Sequence, residues 1–222
     1  MATFQNRTKV VQELIAHAKK CMYQYELAEY VNSKTTKDEF TPLHYASFKG
    51  NIHVIKLLIE NGADMEARNQ FGLNVLHIAA QGDQPISLFY FKSKGMDIYS
   101  KDNRNSTPIH WACFSNSEIA LVYLLAWYET EKLNLQDCDG FTPLHLTVKS
   151  ADQLQSGRPL RALLMKGAIR DLRDKNGKTP YDLADNLKSR KLAKELREHL
   201  TEEVKCNCLM LKSSLKKTDK SF

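Results

Sequence analysis

Apolar residues in this chain come in short blocks at intervals of three and four, separated by stretches rich in Asp, Asn and Gly. Ile52 to Glu60, Ile86 to Lys94, Glu118 to Tyr128 and Pro159 to Lys166 carry apolar side chains at helical spacing, which predicts four helices. Three of these blocks run out at Gly62, Gly95 or Gly167, the residue that most easily takes the left-handed stop of a helix. Between blocks lie Ala67 to Leu73, Tyr99 to Ser106, Asn134 to Phe141 and Asp171 to Lys178, whose Asp, Asn and Gly are turn formers. Further on, Leu187, Leu192, Leu196 and Leu200 stand among charges, as in a helix with one face in water.

A recurring hexapeptide precedes each block. Thr41-Pro42-Leu43-His44-Tyr45-Ala46 returns as Asn74-Val75-Leu76-His77-Ile78-Ala79, Thr107-Pro108-Ile109-His110-Trp111-Ala112, Thr142-Pro143-Leu144-His145-Leu146-Thr147 and Thr179-Pro180-Tyr181-Asp182-Leu183-Ala184. The copies start at 41, 74, 107, 142 and 179, at spacings of 33, 33, 35 and 37 residues. Each reads as a helix start: Thr accepts a hydrogen bond from the free amides of the first turn, and Pro next to it gives up no needed donor. The unit is helix, turn, helix, hairpin-like loop. Two helices of this size cannot bury an apolar face alone, so the units must stack into a solenoid.

A T-P-L-H-x-A core with a period near 33 resembles the ankyrin repeat, which implies an all-α ankyrin-repeat solenoid of stacked helix-turn-helix units with finger loops. The expected organisation is N-terminal capping helices or a degenerate repeat over 1–37, repeats over 38–184, a capping helix over 185–204 and a basic, cysteine-containing tail over 205–222. Cys21 to Phe40 reads as the degenerate copy, with Glu39 where later copies usually have Gly. The third repeat lacks the glycine stop and gains two residues around Tyr128 to Leu133, and the fourth inserts about four near Ser150 to Gly157. Both are expected to be added loops.

Composition narrows the function classes. The five cysteines, at 21, 113, 138, 206 and 208, form no CxxC pair and no even disulfide framework, so reduced thiols and a cytoplasmic protein are expected. The N-terminal segment places charges where a signal peptide has its apolar core, and the longest apolar run, Ile119 to Tyr128, is about half a bilayer span. Asn6-Arg7-Thr8 and Asn105-Ser106-Thr107 therefore read as chance matches to the glycosylation pattern. Of the net charge of +6, residues 185 to 222 supply +4 from ten Lys/Arg against six Asp/Glu, leaving +2 for residues 1 to 184. Such a small excess does not describe a nucleic-acid groove.

No catalytic motif is present, and neither a cofactor nor a metal is expected. Four of the seven histidines, 44, 77, 110 and 145, share one motif position and are too far apart to meet at a metal ion. The ankyrin resemblance implies that they fix the helix start and the neighbouring loop instead. It also implies that partners bind the concave face formed by loop tips and inner helices. By register the tips are Phe40, Gln70, Phe71, Leu73, Asn103, Arg104, Cys138, Asp139 and Phe141. The helical positions are Tyr45, Phe48, Lys49, Ile78, Gln81, Trp111, Phe114, Ser115 and Lys149. Tyr45, Phe48, Phe71, Gln81, Arg104, Trp111, Phe114 and Lys149 are the candidate partner-binding residues, since exposed aromatics flanked by polar groups have the composition of an interface hot spot.

A closer resemblance rests on Ser106 to Trp127 (STPIHWACFSNSEIALVYLLAW), Gly140 to Ser150 (GFTPLHLTVKS), Arg158 to Leu164 and Asn176 to Pro180. These stretches are similar to the cytosolic ankyrin region of DHHC-type protein S-acyltransferases (palmitoyltransferases). In that family the ankyrin part recruits protein substrates through extended segments, and the aromatic after T-P-x-H, here Trp111, can be a peptide contact. A polar partner is expected one repeat earlier, where this chain has Gly82. The Asp-His-His-Cys motif, its cysteine-rich domain and the membrane helices do not occur in the 222 residues. The implied role is thus a non-enzymatic, monomeric module that binds an extended protein segment, as the recruiting portion of a palmitoyltransferase-like protein; the alternative is a free-standing adaptor or inhibitor. In the tail, Cys206 and Cys208 beside apolar residues and lysines are candidate lipidation sites for association with the cytosolic face of an internal membrane.

Overall fold

The structure, a computed structural model, describes residues 2–3 and 5–201. Among the described residues there are twelve α-helices and no strand. They come in pairs: α1 (Thr8–Cys21) and α2 (Gln24–Val31), α3 (Pro42–Lys49) and α4 (Ile52–Glu60), α5 (Val75–Gln81) and α6 (Pro85–Ser93), α7 (Pro108–Phe114) and α8 (Glu118–Trp127), α9 (Pro143–Leu154) and α10 (Arg158–Met165), α11 (Pro180–Leu183) and α12 (Arg190–Thr201). The first helices α3, α5, α7, α9 and α11 lie side by side as an inner row, while α6, α8 and α10 stack outside them and α1 packs on α4. Leu43, Leu76, Ile109 and Leu144 from the inner row meet Ile55, Leu88, Leu121, Leu124 and Leu163 from the outer, all buried in one continuous apolar seam. The all-α repeat architecture expected from the hexapeptide is the one the chain adopts.

The hexapeptide works as a cap and a clasp at once. The Thr41 amide donates to Nδ1 of His44 (3.1 Å), and the His44 amide faces Thr41 Oγ1 (3.4 Å), so donor and acceptor at the helix start satisfy each other. Nε2 of His44 then reaches the carbonyl oxygen of Leu73 in the next finger (3.1 Å). A carbonyl oxygen only accepts, so Nε2 carries the proton and the ring is neutral. The same bond runs from His77 to Ser106 (3.1 Å), His110 to Leu135 (3.0 Å) and His145 to Lys178 (3.2 Å). Burial holds the pKa of His44, His77 and His110 down at about 4, and lowers that of His145. In the fifth copy Asp182 replaces histidine and accepts from the Thr179 amide (2.8 Å) and hydroxyl (2.9 Å), which holds its carboxyl below the ordinary carboxylate range.

Each finger tip turns through a left-handed residue two positions before the cap. Gly72, Gly140 and Gly177 take it at φ 76, 81 and 73°, but Glu39 and Asn105 hold φ 55 and 60°. Glu39 thus occupies the glycine position of the degenerate first unit, with its carboxylate on Lys34 Nζ (2.8 Å). Side-chain oxygens anchor the later fingers: Oδ1 of Asn69, Asp102, Asp137 and Asp174 each accepts two backbone amides of its own turn, at 2.8 to 3.0 Å.

The two insertions are not simple added loops, and that expectation is corrected here. In the third repeat the extra residues form a 3-10 turn, Glu131–Asn134, and Tyr128 and Leu133 are buried. The Tyr128 hydroxyl donates to the carbonyl of Ile98 (2.7 Å), so a buried ring stands where other repeats place their glycine stop. In the fourth repeat the insertion first lengthens α9 to twelve residues and only then turns, at Gln155 with φ 51°. The longer helix carries Asp152 to the backbone amides of Lys188 (2.8 Å) and Ser189 (3.3 Å), at the start of the closing helix α12. The closing helix itself begins at Arg190, later than the predicted 185, because Ala184–Asn186 is a 3-10 turn.

Leu58, buried where α4 meets the N-terminal helices, should lose about 2–5 kcal/mol of stability as Leu58→Ala, read from urea unfolding midpoints. The histidines predict a pH dependence. In the folded chain His44, His77 and His110 take a proton only near pH 4, whereas unfolded imidazole takes it near 6.5. Between those values the unfolded chain holds more protons, so the contribution is complete above about pH 6.5 and is lost as pH falls, about 2 kcal/mol per histidine by about pH 5. Urea unfolding at about pH 7 and about pH 5 should show the loss, with the folded imidazole NMR signals unmoved.

Candidate functional site

The inner helices and fingers of the third and fourth repeats enclose a cleft of about 260 Å³. Its walls come from the finger residues Arg104, Asp137, Asp139 and Phe141 and from Trp111, Phe114, Leu146 and Lys149 on α7 and α9. Trp111 and Phe114 lie one helical turn apart, so their rings meet edge to face at 5.8 Å. The Trp111 Nε1–H donates to Oδ2 of Asp102 (2.8 Å), a buried carboxylate whose Oδ1 already holds its finger together. That bond fixes the plane of the indole and uses its single donor. What Trp111 offers a ligand is therefore a ring face, beside an exposed Phe114 and buried Leu146.

Charge surrounds this apolar floor. Arg104 Nη2 is paired with Asp139 of the next finger. Lys149 Nζ stands 3.9 Å from the centroid of Phe141, whose ring is buried against the base of the finger. His110, also on the wall, is kept neutral by burial. The cleft combines aromatic faces with one exposed ammonium and an Arg–Asp pair, an arrangement suited to holding an extended apolar segment flanked by polar groups.

The structure brings four of the candidate residues, Arg104, Trp111, Phe114 and Lys149, to this one cleft. Tyr45, Phe48, Phe71 and Gln81 lie outside it. Tyr45 stacks on Phe40 at 5.4 Å, Phe48 is partly exposed under Lys49 Nζ (5.4 Å), and Phe71 is exposed at its finger tip. Gln81 is half-buried, and its carbonyl accepts from the Ser117 hydroxyl (3.1 Å). Three positions assigned by register to the open face are buried instead: Leu73, Ile78 and Phe141. Leu146, Asp102 and Asp137 were missed, although Leu146 occupies the register of Trp111, and Asp102 and Asp137 share one finger position five residues before the cap. Gly82 has a packing reason: a Cβ there would collide with the backbone carbonyl of Phe48 on the adjacent inner helix, so no side chain fits. Cys206 and Cys208 lie outside the described residues.

Among the described residues no group of three or more His, Cys, Asp or Glu is placed to hold a metal ion. Burial pushes the Cys113 thiol well above its ordinary pKa, which makes it an inert core residue. Among the same residues, no helix is long and apolar enough to cross a membrane.

Comparison with known proteins adds the family. The model for ankyrin repeats matches in three overlapping copies, over residues 1–69, 48–133 and 76–160. The chain is similar to human transient receptor potential cation channel subfamily A member 1, with 26% identity over 78% of this chain and 19% of that protein. It is also similar to human SH3 and multiple ankyrin repeat domains protein 2, with 28% identity over 76% of this chain and 9% of that protein. Palmitoyltransferase AKR1 of Saccharomyces cerevisiae shares 28% identity over 81% of this chain and 28% of that protein. The chain thus spans less than a third of the length of each of these relatives.

The Asp102–Trp111 bond is open to a direct test. Trp111→Phe keeps a ring in place but removes the indole donor on Oδ2, and should lower stability by about 1 kcal/mol in urea unfolding, with the helical circular dichroism unchanged.

Proposed function

This chain belongs to the ankyrin-repeat family, a family of protein-interaction modules, and we propose that its concave face holds an extended segment of a partner protein in the cleft at Trp111. The observation that carries this reading is the indole clamped by Asp102 with its face open beside Phe114 and Leu146. A ring that is already immobilised loses little entropy when a partner covers it, the condition under which an aromatic becomes an interface anchor. We further propose that the module is the substrate-recruiting portion of a palmitoyltransferase-like protein. The similarity to palmitoyltransferase AKR1 and the WAC and YLLAW stretches of the third repeat support that assignment. On this reading acyl transfer is performed by other residues than these, and the repeats supply affinity alone.

Capture of partners from a cell extract on the full chain, followed by anisotropy with the mapped peptide, tests both levels. Trp111→Ala should weaken peptide binding by about 2–4 kcal/mol, and Phe114→Ala by a smaller amount. Binding undisturbed by both substitutions, in chains that still melt cooperatively, would place the interface elsewhere. Captured proteins that carry no S-acylated cysteine within reach of the bound segment would sink the recruiting role while leaving the cleft intact.

A further inference from the structure

The outer side of the stack carries a second feature that the cleft does not use. On α6 and α8, Ile86, Phe89, Ile119 and Val122 are 65, 59, 55 and 59% exposed, and Tyr123 and Trp127 extend the same surface. Phe89 on one helix and Trp127 on the next lie 6.5 Å apart, and Tyr123 meets Trp127 at 6.1 Å, so the residues form one patch and not scattered apolar positions. Lysines border it. Lys92 Nζ sits 5.2 Å from the Trp127 ring, and Lys56 and Lys94 lie 6.0 and 5.7 Å from the Tyr90 ring. On the far side Arg161 is exposed, and Arg158 approaches Glu118 at 4.0 Å. Glu60 on α4 and Glu118 are the acidic residues of the four outer helices, against Lys56, Lys92, Arg158 and Arg161.

We propose that this outer face of the second and third repeats docks on an anionic lipid surface. An aliphatic and phenylalanine centre, ringed by Tyr, Trp and Lys, has the amphipathic order of the headgroup boundary: apolar groups enter the acyl region, aromatic rings sit at its edge, and ammonium groups meet lipid phosphates. The centre offers no polar group that could pair with a peptide backbone, which argues against an acidic peptide as occupant. A second copy is disfavoured too, because a two-fold contact would bring the basic borders against each other. Since the cleft is built from inner helices and fingers, and the patch from outer helices, lipid and a protein segment can be held at the same time. The inference stands independently of the proposed partner.

The test uses the full chain, in which Trp111→Phe leaves Trp127 as the sole remaining tryptophan of two. Vesicles of phosphatidylcholine with phosphatidylserine, containing bromine-labelled acyl chains, should quench and blue-shift Trp127, whereas phosphatidylcholine alone should not. Phe89→Glu with Val122→Glu should reduce the partition coefficient more than tenfold. Lys56→Glu, Lys92→Glu and Lys94→Glu together, all surface changes, should reduce it on the order of a hundredfold. Circular dichroism melts separate either effect from unfolding. Vesicle binding without quenching of Trp127, as a tail acting alone would give, overturns the proposal. So does quenching that survives both sets of substitutions. Loss of self-association in sedimentation, or of acidic-peptide binding, without vesicle binding would assign the face to a copy or to a protein.

Discussion

A neutral imidazole in each of the first four hexapeptide copies fastens this molecule together. Each of His44, His77, His110 and His145 receives the amide at the start of its own helix and gives its other nitrogen's proton to the following finger. The ring therefore sets two things at once: where a helix begins and how far away the next unit sits. An acceptor on one side and a donor on the other is an arrangement only the neutral tautomer can supply, and burial enforces that form. Apolar contacts along the seam provide most of the stabilisation, but they are tolerant of small slips. The imidazole bond is directional and fixes the register in which those contacts form.

That register is what makes a binding surface out of loops. The fingers would be mobile appendages if they were free; here each is tied within itself by a side-chain oxygen and to its neighbour by backbone and side-chain bonds such as Cys138 N–H to Arg104 C=O at 2.7 Å. At one place the tie extends into the groove. Oδ2 of Asp102 finds the Trp111 indole, whereas in the preceding repeat the equivalent Asn69 Nδ2 is buried without a partner and the helix offers Ile78. The Asp–Trp combination converts an element of finger structure into the mount of an aromatic anchor. The carboxylate's burial strengthens the mount, because an unpaired oxygen there would carry a desolvation penalty.

Periodic features were legible in the sequence because they arise from local rules. The helix starts and the outer helices follow from caps and spacing, the structural role of the histidines from the ankyrin resemblance, and the outer helices end within about two residues of where the apolar pattern stops. What was not legible depends on contacts between repeats. Phe141 and Ile78 occupy open-face positions by register, yet both are buried. The insertion in the fourth repeat read as a loop because its length was visible and its target was not; Asp152 has meaning only once α12 is in place. Gly82 looked like a missing polar residue, and the reason for it is the carbonyl of a helix thirty-odd positions earlier.

Asp182 separates two jobs that the other copies give to one ring. A carboxylate can close the cap of its own helix, but it has no proton to donate onward, so the fifth copy keeps the cap and lacks the onward bond that the four histidines make. Capping a helix and clasping the next finger are therefore separable tasks, which histidine performs together and aspartate divides.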